Sequence, residues 1–109
     1  MADTTVVKTV QNYLRYLAQQ GIPVSYGVLY GSHVTGKEHR WSDIDLLVVS
    51  PKFDGKRTID DYELLWVFAG RTDSRIEPIP VGEKQFKEND DNAIIEIARR
   101  EGQIIPLAE

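Results

Sequence analysis

The stretch that decides the fold is Leu29-Tyr30-Gly31-Ser32, then ten residues, then Asp43-Ile44-Asp45-Leu46-Leu47-Val48-Val49. Each half is an apolar, β-prone run with polar groups packed at one end. Residues 24–30, VSYGVLY, form a short strand that stops at Gly31-Ser32. Residues 44–50, IDLLVVS, are almost continuously apolar after the first aspartates, the pattern of a central strand covered on both faces. Two residues apart on a strand, Asp43 and Asp45 face the same side, roughly 6.5–7 Å apart. Two carboxylates at the mouth of an apolar strand repel each other and lose hydration unless a cation lies between them. A hard divalent ion such as Mg²⁺, which favours carboxylate and phosphate oxygens, resolves that conflict.

Gly31 and Ser32 fit the same chemistry. Glycine allows close approach of backbone to ligand. A serine hydroxyl and the N–H groups after it suit phosphate oxygens, above all where a helical turn begins. Phosphate grip beside paired aspartates is the equipment of phosphoryl or nucleotidyl transfer, in which the protein positions groups and metal ions stabilise charge. A third carboxylate on a neighbouring strand completes a two-metal site. Glu77 is the candidate, because it interrupts the otherwise apolar run RIEPIPV at 75–81 and adjacent strands lie about 4.8 Å apart.

The rest of the chain supplies a frame. Residues 4–20 read as a helix whose apolar stripe is Val6, Val7, Val10, Leu14 and Leu17, capped by Asp3 or Thr4 and stopped by Gly21 and Pro23. Residues 33–42 form a polar loop with room for one helical turn, and Pro51 ends the second strand. Helical spacing returns from Thr58 to Phe68, with Ile59, Tyr62, Leu65 and Trp66 expected inward and Asp60 and Asp61 in the favourable first turn. The nitrogens of Pro78 and Pro80 point to one side and cannot donate, so the 75–81 strand belongs at a sheet edge. Lys84–Lys87 suits a helical turn. Asp91–Arg100 suits a short helix with Ile94, Ile95, Ile97 and Ala98 inward, and residues 103–107 make a final extended piece. The order α-β-α-β-α defines an α/β (α+β) chain with helices on a small sheet, read as one domain over residues 1–109.

Composition bounds the function. The chain has 109 residues, 41% hydrophobic and 28% charged, and no cysteine. Ordinary globular composition excludes wholesale disorder. The lack of cysteine excludes disulfides, thiolate metal sites and thiol nucleophiles. The net charge of −4 disfavours bulk nucleic-acid binding. With no apolar run of membrane-spanning length and no secretion signal at the N-terminus, a cytoplasmic location is expected.

The segment GSHVTGKEHRWSDID resembles the signature of the nucleotidyltransferase fold of the DNA polymerase beta superfamily, and most closely the minimal nucleotidyltransferases. The resemblance covers nearly the whole chain, from the leading helix through EPIPV. It implies a mixed three-stranded sheet in the order one-two-three, Gly31 and Ser32 on a nucleoside triphosphate, Asp43 and Asp45 on Mg²⁺, and Glu77 as the third acidic residue of a two-ion site. One departure stands out. Relatives commonly carry an arginine three positions after the serine, and here that position is Thr35. The positive contact is lost unless His33, Lys37 or Arg40 replaces it, which predicts weakened catalysis.

The function expected is transfer of AMP from ATP to an acceptor hydroxyl. Minimal nucleotidyltransferases typically pair with a helical HEPN protein, as the antitoxin that can adenylylate a tyrosine of the toxin, so such a partner is expected, in a homo- or hetero-oligomer. The alternative is a catalytically weak nucleotide-binding module that masks its partner. A small-molecule (antibiotic) nucleotidyltransferase is disfavoured, since the chain ends soon after the third strand. His33 and His39 read as exposed loop residues, Trp41 as packing at the loop base, Trp66 and Phe68 as core, and Tyr13 and Tyr16 as partly buried.

Overall fold

The computed structural model describes residues 2–37, 42–55, 57–88 and 91–107. His39, Arg40 and Trp41 lie outside them. The elements are α1 (Thr4–Gln19), β1 (Tyr26–Tyr30), α2 (Ser32–Thr35), β2 (Ile44–Ser50), a 3₁₀ turn (Pro51–Phe53), α3 (Ile59–Thr72), β3 (Ile76–Gly82), α4 (Glu83–Glu88), α5 (Ala93–Glu101) and β4 (Gln103–Ile105).

The sheet has four strands in the order β3-β2-β1-β4. The first three follow the expected order, and the final extended piece adds a short fourth strand against β1, so the three-stranded expectation is corrected. Three residues, Gln103–Ile105, suffice because Gly27, Val28 and Leu29 offer an open antiparallel edge. The β1–β2 pairing is antiparallel and the β2–β3 pairing parallel, with Tyr30 opposite Asp45 and Asp45 opposite Glu77. β3 lies at the sheet edge. Pro78 and Pro80 can therefore turn their donorless nitrogens away from β2 without breaking the ladder.

The pleat separates two cores. Leu29, Ile44, Leu46, Val48 and Ile76 pack with Val10, Tyr13, Leu14 and Leu17 of α1 and Leu65, Phe68 and Ala69 of α3. On the other face Val28, Leu47, Val49 and Val81 pack with Phe86 of α4 and Ile95 and Ala98 of α5. Asp3 caps α1, its side chain accepting from Thr5 N at 2.7 Å. Thr58 and Asp61 close a capping box at the start of α3.

Several expected inward residues face solvent. In α3, Leu65 is buried, but Ile59, Tyr62 and Trp66 are 73%, 40% and 47% exposed. The helix is apolar on nearly all sides, so spacing alone does not select the buried stripe. Packing selects Leu65, Phe68 and Ala69. In α5, Ile95 and Ala98 are buried while Ile94 and Ile97 are exposed, because a nine-residue helix over one sheet face hides a single narrow stripe. Tyr13 is fully rather than partly buried; its hydroxyl donates to the Leu65 carbonyl oxygen at 2.8 Å, tying α1 to α3.

Urea unfolding separates these roles. Leu65→Ala is expected to cost about 2–5 kcal/mol, and Tyr13→Phe about 1 kcal/mol through its lost hydrogen bond. Trp66→Ala should leave stability within about 0.5 kcal/mol.

Candidate active site

β1 delivers Tyr30 and Gly31 to the end of the sheet where β2 and β3 begin. The antiparallel step places Tyr30 beside Asp45, and the parallel step places Asp45 beside Glu77. All three share the face of Leu47, Ile79 and Val81, away from α1 and α3, because side chains alternate along a strand. Asp43 precedes β2 by one residue and is exposed. The sequence-predicted carboxylates are thus together on one side of the sheet.

Gly31 is required for this packing. Its φ is +82°, and a Cβ there would overlap the Asp45 carboxylate. Any side chain would be strained and would displace the acid. Ser32 opens the short helix α2, half-buried next to Gly31, and Gly36 closes it in left-handed backbone. Thr35 turns inward to this turn, its hydroxyl donating to the Gly31 carbonyl oxygen at 3.3 Å, so it offers no positive charge in place of the absent arginine.

The carboxylates bear the cost of crowding. Burial raises the Asp45 pKa first, Asp43 raises it further, and His33 pulls the other way. Glu77 is also raised, by burial, by the charge of Asp43 and a hydrogen bond to its carboxyl group, and by Asp45. Arg75, just before β3, does not relieve them: Asp73 holds its guanidinium through contacts of 2.8 and 3.1 Å.

Two residues change the sequence-based picture. His33 is buried, not an exposed loop residue, and its Nε2 donates to the Ser42 carbonyl oxygen at 3.3 Å. Its place on α2, folded back over the loop base, brings a basic group within electrostatic reach of Asp45. Tyr30 was missed as a site residue. Its hydroxyl pKa is pushed up to about 12 by burial and by Asp45 and Glu77, so it remains a hydrogen-bond donor at neutral pH. Its position directly before Gly31 was the available signal.

An all-oxygen, anionic donor set suits a hard divalent cation. Among the described residues no three His, Asp or Glu side chains stand ready-closed as a metal cage. The donor chemistry of Asp43, Asp45 and Glu77 therefore fits the ion.

This fold has counterparts. A family profile for the nucleotidyltransferase domain matches residues 10–105, and the chain belongs to that family. Its fold is similar to that of a Sulfolobus solfataricus protein provisionally classed as a nucleotidyltransferase, with 16% identity over 90% of this chain and 77% of that one and a TM-score of 0.64. It is also similar to a toxin–antitoxin structure with AMP-PNP, with 24% identity over 87% and 71% of the chains and a TM-score of 0.60. A third similar structure is a mutant of the toxin–antitoxin pair MntA-HpeT in which two aspartates became glutamate, with 22% identity over 87% and 71% and a TM-score of 0.59. No curated protein matches in sequence.

The raised carboxyl pKa values give a signed prediction. A carboxyl group that holds its proton more tightly when folded loses folding free energy as pH rises from its unfolded pKa through its folded one. Glu77→Gln should therefore raise the melting temperature at pH 7 without divalent ions. The gain should vanish below about pH 4, where the acid is protonated in both states. Differential scanning fluorimetry across pH checks this. Gly31→Ala should instead destabilise by about 1–3 kcal/mol at every pH.

Proposed function

We propose that the chain is a minimal nucleotidyltransferase domain that moves AMP from ATP to a hydroxyl group of a partner protein. The observation that carries this is the β2–β3 register, which sets Asp45 beside Glu77 next to Gly31-Ser32, with burial and the charge of Asp43 raising the pKa of both acids. Asp43 and Asp45 would hold Mg²⁺, with Glu77 completing a two-ion set. The ions supply charge neutralisation at the triphosphate when bound. Ser32 and the backbone after Gly31 grip phosphate oxygens. Tyr30 stays protonated and offers its hydroxyl to charge developing on the phosphate. The acceptor oxygen forms a bond to the α-phosphorus, the bond from that phosphorus to the bridging oxygen breaks, and pyrophosphate leaves. Glu77 is placed to take the acceptor's proton.

The partner assignment is supported by the likeness to toxin–antitoxin structures, one of them described with AMP-PNP. In this reading the chain is an antitoxin and the partner a helical HEPN-type toxin. His33 offsets part of the loss at Thr35, since it bears on Asp45 from within the same loop. A second reading is favoured by that same Thr35: a nucleotide-binding module that neutralises its partner by covering it. Among the described residues no helix is long and apolar enough to cross a membrane.

Label transfer tests this. With α-labelled ATP, Mg²⁺ and the partner, wild type should label the partner, and EDTA should abolish the label. Asp43→Ala and Asp45→Asn should each lower the rate by about 10³-fold or more. Wild type indistinguishable from Asp45→Asn, with neutralisation intact in both, would select the masking reading.

A further inference from the structure

One pleat along from the carboxylates, the same sheet face becomes the floor of a cavity of about 260 Å³. Leu47 follows Asp45 by two residues and Ile79 follows Glu77 by two, so the floor begins about 7 Å from the acids. Ile94 and Ile95 of α5 form one wall, and Tyr62 of α3 stands opposite.

Several polar atoms on the rim are engaged with the protein itself. Arg57 donates to Gln85 Oε1 at 2.6 Å and to the Phe53 carbonyl oxygen at 2.9 Å, and Gln85 Oε1 also accepts from Gly82 N at 3.1 Å. The Asn92 side-chain oxygen accepts from Ile94 N and Ile95 N. A nucleobase buried here would need partners for its own N–H groups and ring nitrogens. A hydrocarbon group would not.

The apolar surface does not stop at the cavity. Tyr62 also belongs to the exposed stripe Ile59, Tyr62 and Trp66, spaced i, i+3 and i+7 on α3. The combined surface runs from beside the carboxylates onto the outside of a helix, further than a small acceptor extends. We propose that this cavity seats an apolar side chain of the polypeptide acceptor, with the α3 stripe supporting the same polypeptide. The inference rests on the protein-directed transfer proposed above and identifies how its substrate is recognised. An extended chain advances about 3.3 Å per residue, so the seated side chain lies about two or three residues from the hydroxyl that is modified.

The test has two arms. In the first, methyl-labelled full-length chain is titrated with N-acetylphenylalanine amide to about 10 mM, a range that detects weak fragment binding. The methyl signals of Leu47, Ile79, Val81 and Ile94 should shift, equally with and without AMP-PNP and Mg²⁺. Absence of shifts, displacement of the probe by AMP-PNP, or the same signals moving on dilution of the chain alone would each overturn the proposal. The latter two outcomes would assign the cavity to the base or to a second copy. In the second arm, the rim variant Tyr62→Ser/Ile94→Ser should raise KM for the protein acceptor by about tenfold or more. Its affinity for AMP-PNP should remain within about twofold of wild type. An unchanged KM would overturn the proposal even if AMP transfer is confirmed. Probe binding with no AMP transfer by wild type would overturn the acceptor role together with the proposed activity.

Discussion

Three carboxylates forced to one end of a small sheet are the constraint around which this protein is arranged. Their proximity follows from strand pairing: a parallel β2–β3 ladder in register sets Asp45 against Glu77, and the residues before β2 bring Asp43 to the same side. The protein leaves the repulsion in place. Asp45 and Glu77 both have raised pKa values, first from burial and then from the charge of Asp43. Crowded acids of this kind keep their places only where the surrounding packing fixes them.

The surroundings do so from both sides. Leu46 and Val48 are held under α1 and α3, and Leu47 and Val49 under α4 and α5, so β2 has no freedom to slide. A one-residue slip would turn Asp45 into the core and Leu46 toward solvent. Gly31 then fixes how closely the first strand's exit approaches the acid. The division of the sheet into two faces also sorts function from scaffold. The face under α1 and α3 is continuously packed. The opposite face is packed only in part, and its uncovered end holds the carboxylates, Tyr30 and the apolar cavity.

The departure at Thr35 has a physical consequence that the structure makes specific. Thr35 spends its hydroxyl on the Gly31 carbonyl oxygen and stabilises the turn, while His33, on the same short helix, is the basic side chain that reaches Asp45.

Membership of the nucleotidyltransferase family was legible in the sequence, because Gly31-Ser32, the ten-residue spacing and Asp43-Ile44-Asp45 are local. Strand 44–50, the leading helix and the edge position of the proline-bearing strand were legible for the same reason: apolar runs, caps and missing donors act through neighbouring residues. Contacts between distant segments were decided only by the tertiary structure. The fourth strand exists because β1 offers an open edge, and three residues of Gln103–Ile105 carry no strong signal alone. Ile59, Tyr62, Trp66, Ile94 and Ile97 are apolar yet exposed, because a helix with apolar residues on several sides is oriented by what it packs against. Tyr30 and His33 become site neighbours, and Leu47 and Ile79 the floor of a cavity, only when three strands and two helices meet, since burial and electrostatic reach are properties of the assembled chain and not of any one segment.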